Sequence, residues 1–386
     1  MLNFEYYCPT KIIFGKGKEN EVGSIVKQYG KKILLHYGGG SVIRSGLLDR
    51  VKTSLDNEGI EYVELGGVQP NPRLSLVNEG IKLVKEHNID FILAVGGGSV
   101  IDSAKGIGLG SKYDGDLWEI YLRKATPKDH TPVGVILTIP AAGSEMSTSA
   151  VITNEVTKEK RGYNTVFNRP VFSILNPELI YTVPKYHLAA GIVDMFAHVV
   201  ERYFTNTTNV TVTDNLCLGV MNAIYTCGSK YINDVTNYDL AAEVMWAASM
   251  AHNGILDPGR LTDWASHNME HSLSAYYDIS HGGGLAVIIP AWMKYVYKHN
   301  PAIFAKYAKA VFGVEVEGTD EEKALLGIQK TIEFFESLGL STKLSSYNID
   351  ETKFVEMAKH ATVFGPIGNF VKLYEEDIVK IYKSAL

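Results

Sequence analysis

The sequence predicts an α/β domain with a parallel sheet, residues 1–183, followed by an all-helical domain, residues 184–386. In the first half, short apolar runs alternate with helical patterns, as in sheets wound from strand, helix and strand units. From Pro184 onward, long stretches repeat apolar residues at helical spacing, and few β-branched runs remain. The length of 386 residues also favours two domains over one.

The expected strands of the first domain are apolar runs separated by helical patterns such as residues 74–87. They are IIF near residue 12, ILLHY at 33–37, YVEL at 62–65, FILAV at 91–95 and VGVILT at 133–138. Two further β-rich runs, AVIT at 150–153 and VFSIL at 171–175, flank the charged segment TKEKR. We expect these two runs to form a hairpin with the charged segment at its tip.

The second domain is expected to be a set of long helices. Its clearest helical patterns lie at 187–204, 239–255 and 328–339. No low-complexity linker separates the two halves. We therefore expect them to pack tightly, with a ligand site in the cleft between them.

Composition excludes several classes of protein. Hydrophobic residues make up 46% and charged residues 21% of the chain, as in globular proteins. The 37 Lys and Arg against 43 Asp and Glu give a net charge of −6, without the basic excess that nucleic acid binding requires. Three scattered cysteines, Cys8, Cys217 and Cys227, fit neither a disulfide framework nor a zinc ribbon. With no signal peptide and no apolar run of about 18 residues, we expect a soluble, cytoplasmic protein.

A glycine-rich pentapeptide, GGGSV, occurs at 38–42 and again at 96–100, each time between an apolar strand and a helical pattern. Such a loop lets backbone N–H groups approach a phosphate, and the positive end of the following helix attracts it. A plain tight turn with Ser as N-cap is the alternative for one loop, but two identical loops favour a nucleotide. Neither loop fits the Walker A or the G-x-G-x-x-G spacing.

Two further features extend this expected ligand edge. Asp102 and Lys105 follow the second loop and are one helical turn apart, so we expect both to face a bound ligand, with a surface ion pair as the alternative. A third small-residue turn begins at Thr138, where the next strand ends. Three turns are thus expected at the carboxyl edge of the sheet, where doubly wound sheets bind ligands.

A possible metal site lies in the second half. Asp194 and His198 stand four apart in a helical pattern and so project from one helix face. His267 and His271 are again four apart, and His281 follows at a glycine-rich break. A helix ion pair is the alternative for the first pair alone. Together, one carboxylate and two or three imidazoles match a catalytic site for zinc or ferrous iron with one open coordination position.

These motifs arrive in a fixed order along the chain. They are Gly-Gly-Gly-Ser-x-x-Asp-x-x-Lys at 96–105, Pro-Ala-Ala-Gly-Ser-Glu at 140–145, Asp194-x-x-x-His198 and His267-x-x-x-His271-x9-His281. In that combination the chain resembles the iron-containing (group III) alcohol dehydrogenases, and most of all their NADPH-dependent butanol dehydrogenase and aldehyde reductase branch. The resemblance covers essentially the whole chain. It implies an N-terminal Rossmann-like dinucleotide-binding domain and an all-α metal-binding domain; a homodimer is also expected.

The resemblance implies reversible hydride transfer between a primary alcohol or aldehyde, butanol-like in size, and a nicotinamide cofactor. The family's metal ligands fall on Asp194, His198, His267 and His281, which would hold one Fe2+ or Zn2+. The metal would act as a Lewis acid on the substrate oxygen. His271 falls close to the metal without binding it and is the candidate proton relay.

The family's cofactor contacts fall on residues of the first domain. They are Gly38, Gly39, Gly40, Ser41, Asn71, Gly97, Gly98, Ser99, Asp102, Thr138, Ser144, Ser147, Lys160 and Leu179. Many members have Thr-Thr-Ala-Gly-Thr where this chain has the shorter, threonine-free Ala141-Ala142-Gly143-Ser144. The diphosphate contacts around residues 141–144 therefore remain open.

We expect NADP(H) in preference to NAD(H). Enzymes specific for NAD usually place an acidic residue just after a strand, where it binds the ribose 2′-hydroxyl and repels a 2′-phosphate. The loop from His36 to Ser41 contains no acid, and in the resembling family an Asp in this loop accompanies NAD. Gly39 and Gly40 leave room for a phosphate, Ser41 can donate a hydrogen bond, and Arg44 can add positive charge.

Two other functions remain alternatives. Lyases similar to dehydroquinate synthase combine a nucleotide domain with a helical metal domain, but their phosphorylated acidic substrate needs a basic cluster. Residues 194–281 contain Arg202 and Arg260 but no such cluster, so a small apolar alcohol or aldehyde fits better. A non-catalytic nucleotide sensor would keep the glycine loops without needing four metal ligands.

Overall fold

The computed structural model describes residues 1–386, which form two compact units. We call residues 8–183 the N-terminal unit, and residues 1–7 together with 184–386 the helical unit. The first seven residues, which the sequence assigned to the α/β half, thus lie in the helical unit. There the N–H of Leu2 donates to the carbonyl oxygen of Gly259 at 2.8 Å. The predicted combination of an α/β and an all-helical fold is confirmed.

The N-terminal unit is built on a six-stranded sheet in which all neighbouring strands are parallel. The strand order is β1-β8-β5-β4-β2-β3. The strands are β1 Lys11–Phe14, β2 Lys32–Gly38, β3 Glu61–Val68, β4 Phe91–Gly96, β5 Val133–Leu137 and β8 Phe172–Leu175. Strands β4 and β5 are buried along their whole length. This explains why they are unbroken apolar runs, since helices cover both faces of a parallel sheet.

Six helices accompany this sheet. They are α1 Val22–Val26, α2 Ser41–Arg44, α3 Leu47–Asn57, α4 Leu74–Glu86, α5 Gly98–Ser111 and α6 Leu117–Tyr121. Val51 and Leu55 of helix α3 belong to the same buried apolar cluster as Leu35 and Leu93 of the sheet. This cluster thus includes both strands that precede the GGGSV loops.

The predicted hairpin exists, but with a different second strand. Strand β6 (Ser149–Asn154) pairs in antiparallel fashion with β7 (Glu159–Asn164), whereas residues 172–175 join the parallel sheet between β1 and β5. The prediction that 171–175 pairs with 150–153 is wrong. Strand β7 reads EKRGYN and lacks an apolar pattern, because hydrogen bonds to polar partners, rather than apolar contacts, accommodate its buried Lys160.

The order of the strands places the two glycine loops together. From β2 the chain adds β3 on one side and then returns to add β4 on the other. The direction of winding thus reverses between β2 and β4, and open α/β sheets bind ligands at the carboxyl ends of strands at such a point. Both GGGSV loops begin at these two carboxyl ends.

The helical unit contains nine α-helices and one isolated β-bridge, between Ile367 and Leu373. The helices are α7 Lys185–Tyr203, α8 Thr211–Tyr231, α9 Tyr238–His252, α10 Ala265–Tyr277, α11 His281–Val296, α12 Pro301–Phe312, α13 Asp320–Ser337, α14 Phe354–Ala361 and α15 Glu375–Ser384. None of the helices in the chain is long and apolar enough to cross a membrane.

Candidate functional site

Three turns meet at one edge of the N-terminal unit, as predicted. Strand β4 pairs with β2 and with β5, so the loops that follow these strands leave the sheet side by side. The N–H of Thr138 donates to the carbonyl oxygen of Gly96 at 3.1 Å and ties the third turn to the second loop. We call this group of turns, residues 38–41, 96–99 and 138–144, the cofactor edge.

The glycines of the second loop have two different roles. A Cβ atom on Gly97 would lie 2.1 Å from Cγ2 of Ile139, so close packing requires glycine there. A Cβ on Gly98 would meet only Ala142, at 3.9 Å, so packing does not require glycine at that position. Gly98 opens helix α5, whose N-cap Gly97 supplies no side-chain cap. The N–H groups and the dipole of such a helix end attract a phosphate group.

The side chains of Asp102 and Lys105 do not face a ligand together. Lys105 is 1% exposed, and its ammonium donates to the carbonyl oxygens of Ser144 and Ser149 at 2.7 and 2.8 Å. The Ser144 hydroxyl donates to Asp102 at 2.5 Å. A surface ion pair is excluded, because Lys105 is buried and the network binds the third turn to α5. Contact of Asp102 with a cofactor stays a prediction.

Burial governs the ionisation of this network. It lowers the pKa of Lys105 to about 8, although Asp102 and Glu145 oppose the shift. Burial likewise raises the pKa of Asp102, with Lys105 and Ser144 opposing. The hydroxyl of Ser147 also lies within reach of Lys105, at 3.3 Å. Ser144 and Ser147 are therefore both engaged with Lys105 through their hydroxyl groups.

Other expected cofactor residues lie around the same unit. Asn71 has a left-handed backbone with φ of 54°, and its side-chain oxygen accepts a hydrogen bond from the ammonium of Lys160 at 2.9 Å. Both side chains are buried. Thr138 is half-buried at the cofactor edge, and Leu179, also half-buried, packs against the apolar cluster beneath the sheet.

A buried histidine lies in the strand that precedes the first glycine loop and links that strand to its neighbours. His36, in β2, has one ring nitrogen 2.8 Å from the carbonyl oxygen of Leu65 and the other 2.8 Å from the hydroxyl of Ser103. Burial lowers its pKa from 6.5 to about 4, while the bond to Leu65 opposes the shift. His36 is therefore neutral near pH 7 and links β2, β3 and α5.

The four predicted metal ligands lie together in the helical unit. Nε2 of His281 is 3.7 Å from Oδ1 of Asp194, and Asp194, His267 and His281 each offer a ligand atom within 4.8 Å of the others. The ring centroids of His198 and His267 are 4.4 Å apart. Helices α7, α10 and α11 thus bring Asp194, His267 and His281 to ligand spacing, with the ring of His198 beside that of His267. We call these four residues the metal centre, after the ion that the sequence predicts for them.

The chemistry of these side chains fits a divalent cation. Nε2 of His267 is buried and has no hydrogen-bond partner, which is costly unless the nitrogen has another ligand. Burial and the neighbouring His198 and His281 keep the pKa of His267 well below its ordinary value, so the ring is neutral and able to bind a cation. One carboxylate with three imidazoles suits zinc or ferrous iron.

The glycines after His281 form a helix rather than the predicted break. His281 is the first residue of α11, and Gly282 to Gly284 form its first turn. A Cβ on Gly282 would lie 1.9 Å from the carbonyl oxygen of Ala190 in α7. Glycine is required there because the two helix backbones touch, and this contact holds His281 close to Asp194.

His271 is half-buried on α10, one turn after His267. Its ring centroid is 5.6 Å from that of His281. The structure therefore places it beside the metal centre. Glu270, His271 and His281 form a second group with metal-ligand spacing, but Nδ1 of His281 is bonded to Glu270.

Four residues besides the predicted ligands and His271 contact the rings of this region, and the sequence had not singled out Glu201, Glu270 or Trp264. Glu201 bonds the ring of His267, and Glu270 bonds that of His281. His252 and Trp264 flank His198, with ring centroids 4.3 and 5.9 Å from its own. Helical spacing could have revealed both glutamates, because Glu201 follows Asp194 by seven residues and Glu270 follows His267 by three, which are same-face positions.

Burial also shifts the pKa of Glu201. Burial and the neighbouring carboxylate of Asp263 hold its pKa well above the ordinary value. Asp263 itself accepts backbone N–H groups of Ala265, Asn369 and Phe370. It thereby connects the start of α10 to the loop that precedes α15.

Comparison with known proteins gives the family. The family model described as iron-containing alcohol dehydrogenase matches residues 9–177, and its C-terminal counterpart matches residues 188–386. The chain is 47% identical, over the full length of both proteins, to the probable NADH-dependent butanol dehydrogenase 1 of Bacillus subtilis. It is 36% identical to the NADPH-dependent aldehyde reductase YqhD of Escherichia coli, covering 93% of this chain and 92% of that protein.

A solved structure agrees with this comparison. The crystal structure of NADH-dependent butanol dehydrogenase A from Thermotoga maritima superposes with a TM-score of 0.96 at 38% identity, covering 100% of this chain and 99% of that one. The resemblance to the iron-containing alcohol dehydrogenases, inferred from the motifs, is confirmed. This chain belongs to the iron-containing alcohol dehydrogenase family.

Proposed function

We propose that this chain interconverts short aldehydes, butanal-like in size, and primary alcohols with NADP(H), using one divalent metal ion held by Asp194, His198, His267 and His281. Membership of the family makes the chain an oxidoreductase that acts on alcohols or aldehydes with a nicotinamide cofactor. The observation that carries the metal assignment is the buried Nε2 of His267, which faces this group without a hydrogen-bond partner.

The four residues of the metal centre would hold a divalent cation where the substrate oxygen is proposed to lie. When bound, a divalent cation supplies Lewis acidity, which stabilises negative charge on that oxygen by several kcal/mol. The ligand side chains of Asp194, His198 and His267 are at most 7% exposed, against 22% for His281. The more open side of the centre, toward His281 and His271, is therefore where we place the substrate and the proton that it exchanges. His271 is the proposed proton relay.

Several contacts favour NADP(H) over NAD(H). Gly39 is exposed and a Cβ there would meet only the carbonyl oxygen of Val68, at 3.8 Å, so the loop has open space and no carboxylate. Nη1 of Arg44 lies 3.0 Å from a Cβ position built on Gly40, which puts a cation beside the loop. Glu64, a carboxylate on the adjoining strand β3, is paired with Lys52 at 2.8 Å, so its negative charge is balanced by a cation of the protein. Relatives that are 40 to 47% identical are named as NADH-dependent, and the 36% identical aldehyde reductase as NADPH-dependent, so the proposal rests on the loop residues of this chain.

The two alternatives are less well supported. A lyase acting on an acidic phosphorylated substrate needs free basic side chains, but Arg202 is paired with Asp257 at 2.8 Å and Arg260 with Asp214 at 2.6 Å. A nucleotide sensor gives no reason for four metal-ligand side chains to converge. The relatives named as butanol dehydrogenases and aldehyde reductase also favour the oxidoreductase.

The deciding experiment follows the absorbance of NADPH and NADH with butanal after anaerobic purification. We expect net oxidation of the cofactor, about one iron or zinc ion per chain, and a higher kcat/KM for NADPH. Gly39→Asp should erode that preference. Equal or better kcat/KM with NADH would refute the cofactor assignment, and a metal content near two ions per chain would refute the ligand assignment. No cofactor oxidation with any aldehyde would refute the proposed function.

The role of His271 has a separate test. We expect His271→Ala to keep the metal and to change the pH dependence of kcat. An unchanged pH profile would leave His271 a purely structural neighbour of the metal centre. A homodimer and a cytoplasmic location remain predictions; light scattering in solution measures the first.

A further inference from the structure

We propose that Glu201 and Glu270 are positioning residues that hold the rings of His267 and His281 with Nε2 toward the metal, and that they thereby set the affinity of the site. This inference rests on the metal centre of the proposed function. Neither glutamate is a proposed ligand; each acts through the histidine that it contacts.

Glu201 contacts both the ring of His267 and the backbone of the helix that carries it. Its Oε1 accepts the N–H of His267 at 2.9 Å and lies 3.1 Å from Nδ1 of the same residue. Helix α10 has no side-chain cap from its N-cap residue Trp264, so Glu201 satisfies one of the N–H groups that a helix start leaves open. One fully buried carboxyl oxygen thus fixes the position of the backbone and the rotation of the ring.

The bond to Glu201 also selects the tautomer of His267. Oε1 already accepts the backbone N–H of His267, so we take it as the acceptor for the ring as well, with the proton of the neutral ring on Nδ1. The lone pair is then on Nε2, the nitrogen that has no hydrogen-bond partner. A carboxylate behind a metal-binding imidazole raises its basicity and fixes its orientation.

Glu270 holds His281 in the same way from another helix. Its Oε2 is bonded to Nδ1 of His281, and its Oε1 accepts the hydroxyl of Ser274. Glu270 is completely buried. A Cβ on Gly284 would lie 2.8 Å from Cγ of Glu270, so glycine makes room for this glutamate. With Nδ1 of His281 engaged, Nε2 is the nitrogen that faces Asp194.

His198 completes the pattern without a glutamate. Its Nδ1 is 2.8 Å from the backbone carbonyl oxygen of Asp194, one turn earlier in α7. The same Nδ1 also lies 3.0 Å from Oδ1 of Asp194. All three imidazoles thus have Nδ1 against an acceptor, and we take Nε2 as the coordinating nitrogen of each. Two of the three acceptors are side chains and can be changed without touching a ligand.

The test measures metal affinity directly. Apo-protein of the full chain would be titrated with Zn2+ against a competing chelator, for Glu201→Gln, Glu201→Met, Glu270→Gln and Glu270→Met. We expect each Met variant to bind Zn2+ roughly 10- to 100-fold more weakly, as for other residues behind metal ligands. The Gln variants keep a side chain of the same shape with an acceptor oxygen, so we expect a loss of only several-fold. Absorption spectra of the Co2+ forms would show altered ligand geometry in the same order.

A matched control separates positioning from general stability. Glu19 is a buried carboxylate of the N-terminal unit, bonded to Asn176 at 2.9 Å and to Arg50 at 3.3 Å. Glu19→Met should lower the melting temperature of the apo-protein and leave the affinity for Zn2+ unchanged. Circular dichroism would confirm that each variant is folded before its affinity is compared.

Several outcomes would overturn the inference. It fails if folded Met variants bind Zn2+ as tightly as the unmodified protein, or lose no more affinity than Glu19→Met. If the Met variants do not fold, the Gln variants decide: affinity equal to that of the unmodified protein overturns the inference, and a several-fold loss supports it. An unmodified protein that binds no Zn2+ would instead refute the proposed metal centre.

Discussion

The cofactor edge and the metal centre are built in opposite ways. The cofactor edge consists of three turns, each directly after a strand, and its open positions are backbone: Gly39 and Gly98 present no side chain. The metal centre consists of side chains from α7, α10 and α11, which span residues 194–281. The first site should tolerate loss of side chains and resist their addition, whereas the second should fail when one side chain is removed.

The largest expected effect is on the metal centre. His267→Ala removes a buried ring nitrogen that has no hydrogen-bond partner in the protein, so we expect loss of the metal and a fall in turnover of at least about a thousandfold. Metal analysis and steady-state kinetics would measure both. His187→Ala, at an exposed histidine at the start of α7, is the control and should keep both. Full turnover in a metal-free His267→Ala protein would contradict the Lewis-acid role.

A pH titration tests the buried support beneath the cofactor edge. His36 has a folded pKa of about 4, against 6.5 for a solvent-exposed histidine, because burial disfavours its charged form. Between these pH values the unfolded chain binds more protons than the folded one. Stability that is fully present above pH 6.5 is therefore lost as the pH falls toward 4, by about 3 kcal/mol at most.

The measurement is denaturant unfolding of the unmodified protein and of His36→Asn between pH 7 and 4. The variant cannot titrate at this position, so the stability difference between the two proteins should shrink as the pH falls. A difference that is constant across this range would show that His36 does not keep a lowered pKa.

Adding a methyl group to the second glycine loop tests the backbone half of the comparison. Gly97→Ala would place Cβ 2.1 Å from Ile139, and we expect a loss of about 2 kcal/mol in unfolding free energy. Gly98→Ala meets only ordinary contacts, so its stability should be unchanged while its KM for the cofactor rises. An unchanged KM in Gly98→Ala would contradict the proposal that a cofactor phosphate binds at the start of α5.

The smallest expected effect tests whether the hydroxyl of Ser144 stabilises the third turn or contacts the cofactor. Ser144→Ala removes the hydroxyl between Lys105 and Asp102, and we expect a loss of about 1 kcal/mol in unfolding free energy with little change in the cofactor KM. Thermal unfolding and cofactor saturation curves would measure these quantities. A large rise in KM without a loss of stability would instead show that this hydroxyl contacts the cofactor.

The sequence predicts features that depend on local patterns better than features that depend on distant packing. The five apolar runs became strands, and β4 and β5 are the most apolar because they are buried along their whole length. The two glycine loops came together because their strands are neighbours. Residues whose environment depends on distant packing were missed or misassigned. The polar β7 is stabilised by partners such as Asn71, and Lys105 is buried by carbonyl oxygens about forty residues away in sequence.

The same limit applies to the metal centre. Spacing within one helix predicted Asp194 with His198 and His267 with His271, because residues four apart share a face. The glutamates behind the rings act between helices, from α7 to α10 and from α10 to α11. Their role depends on which helices pack together, and the residues of one helix do not specify its neighbours.

The contact between Gly282 and Ala190 limits how this site can diverge during evolution. The distance from α11 to α7 is set by two backbones that touch, so no exchange of core side chains can compensate for a larger residue at Gly282. Mutations that shift metal preference are then restricted to the identity of the ligands and of the groups behind them. Lineages that acquire a new metal should therefore change the chemistry of the donors while the spacing of the two helices stays the same.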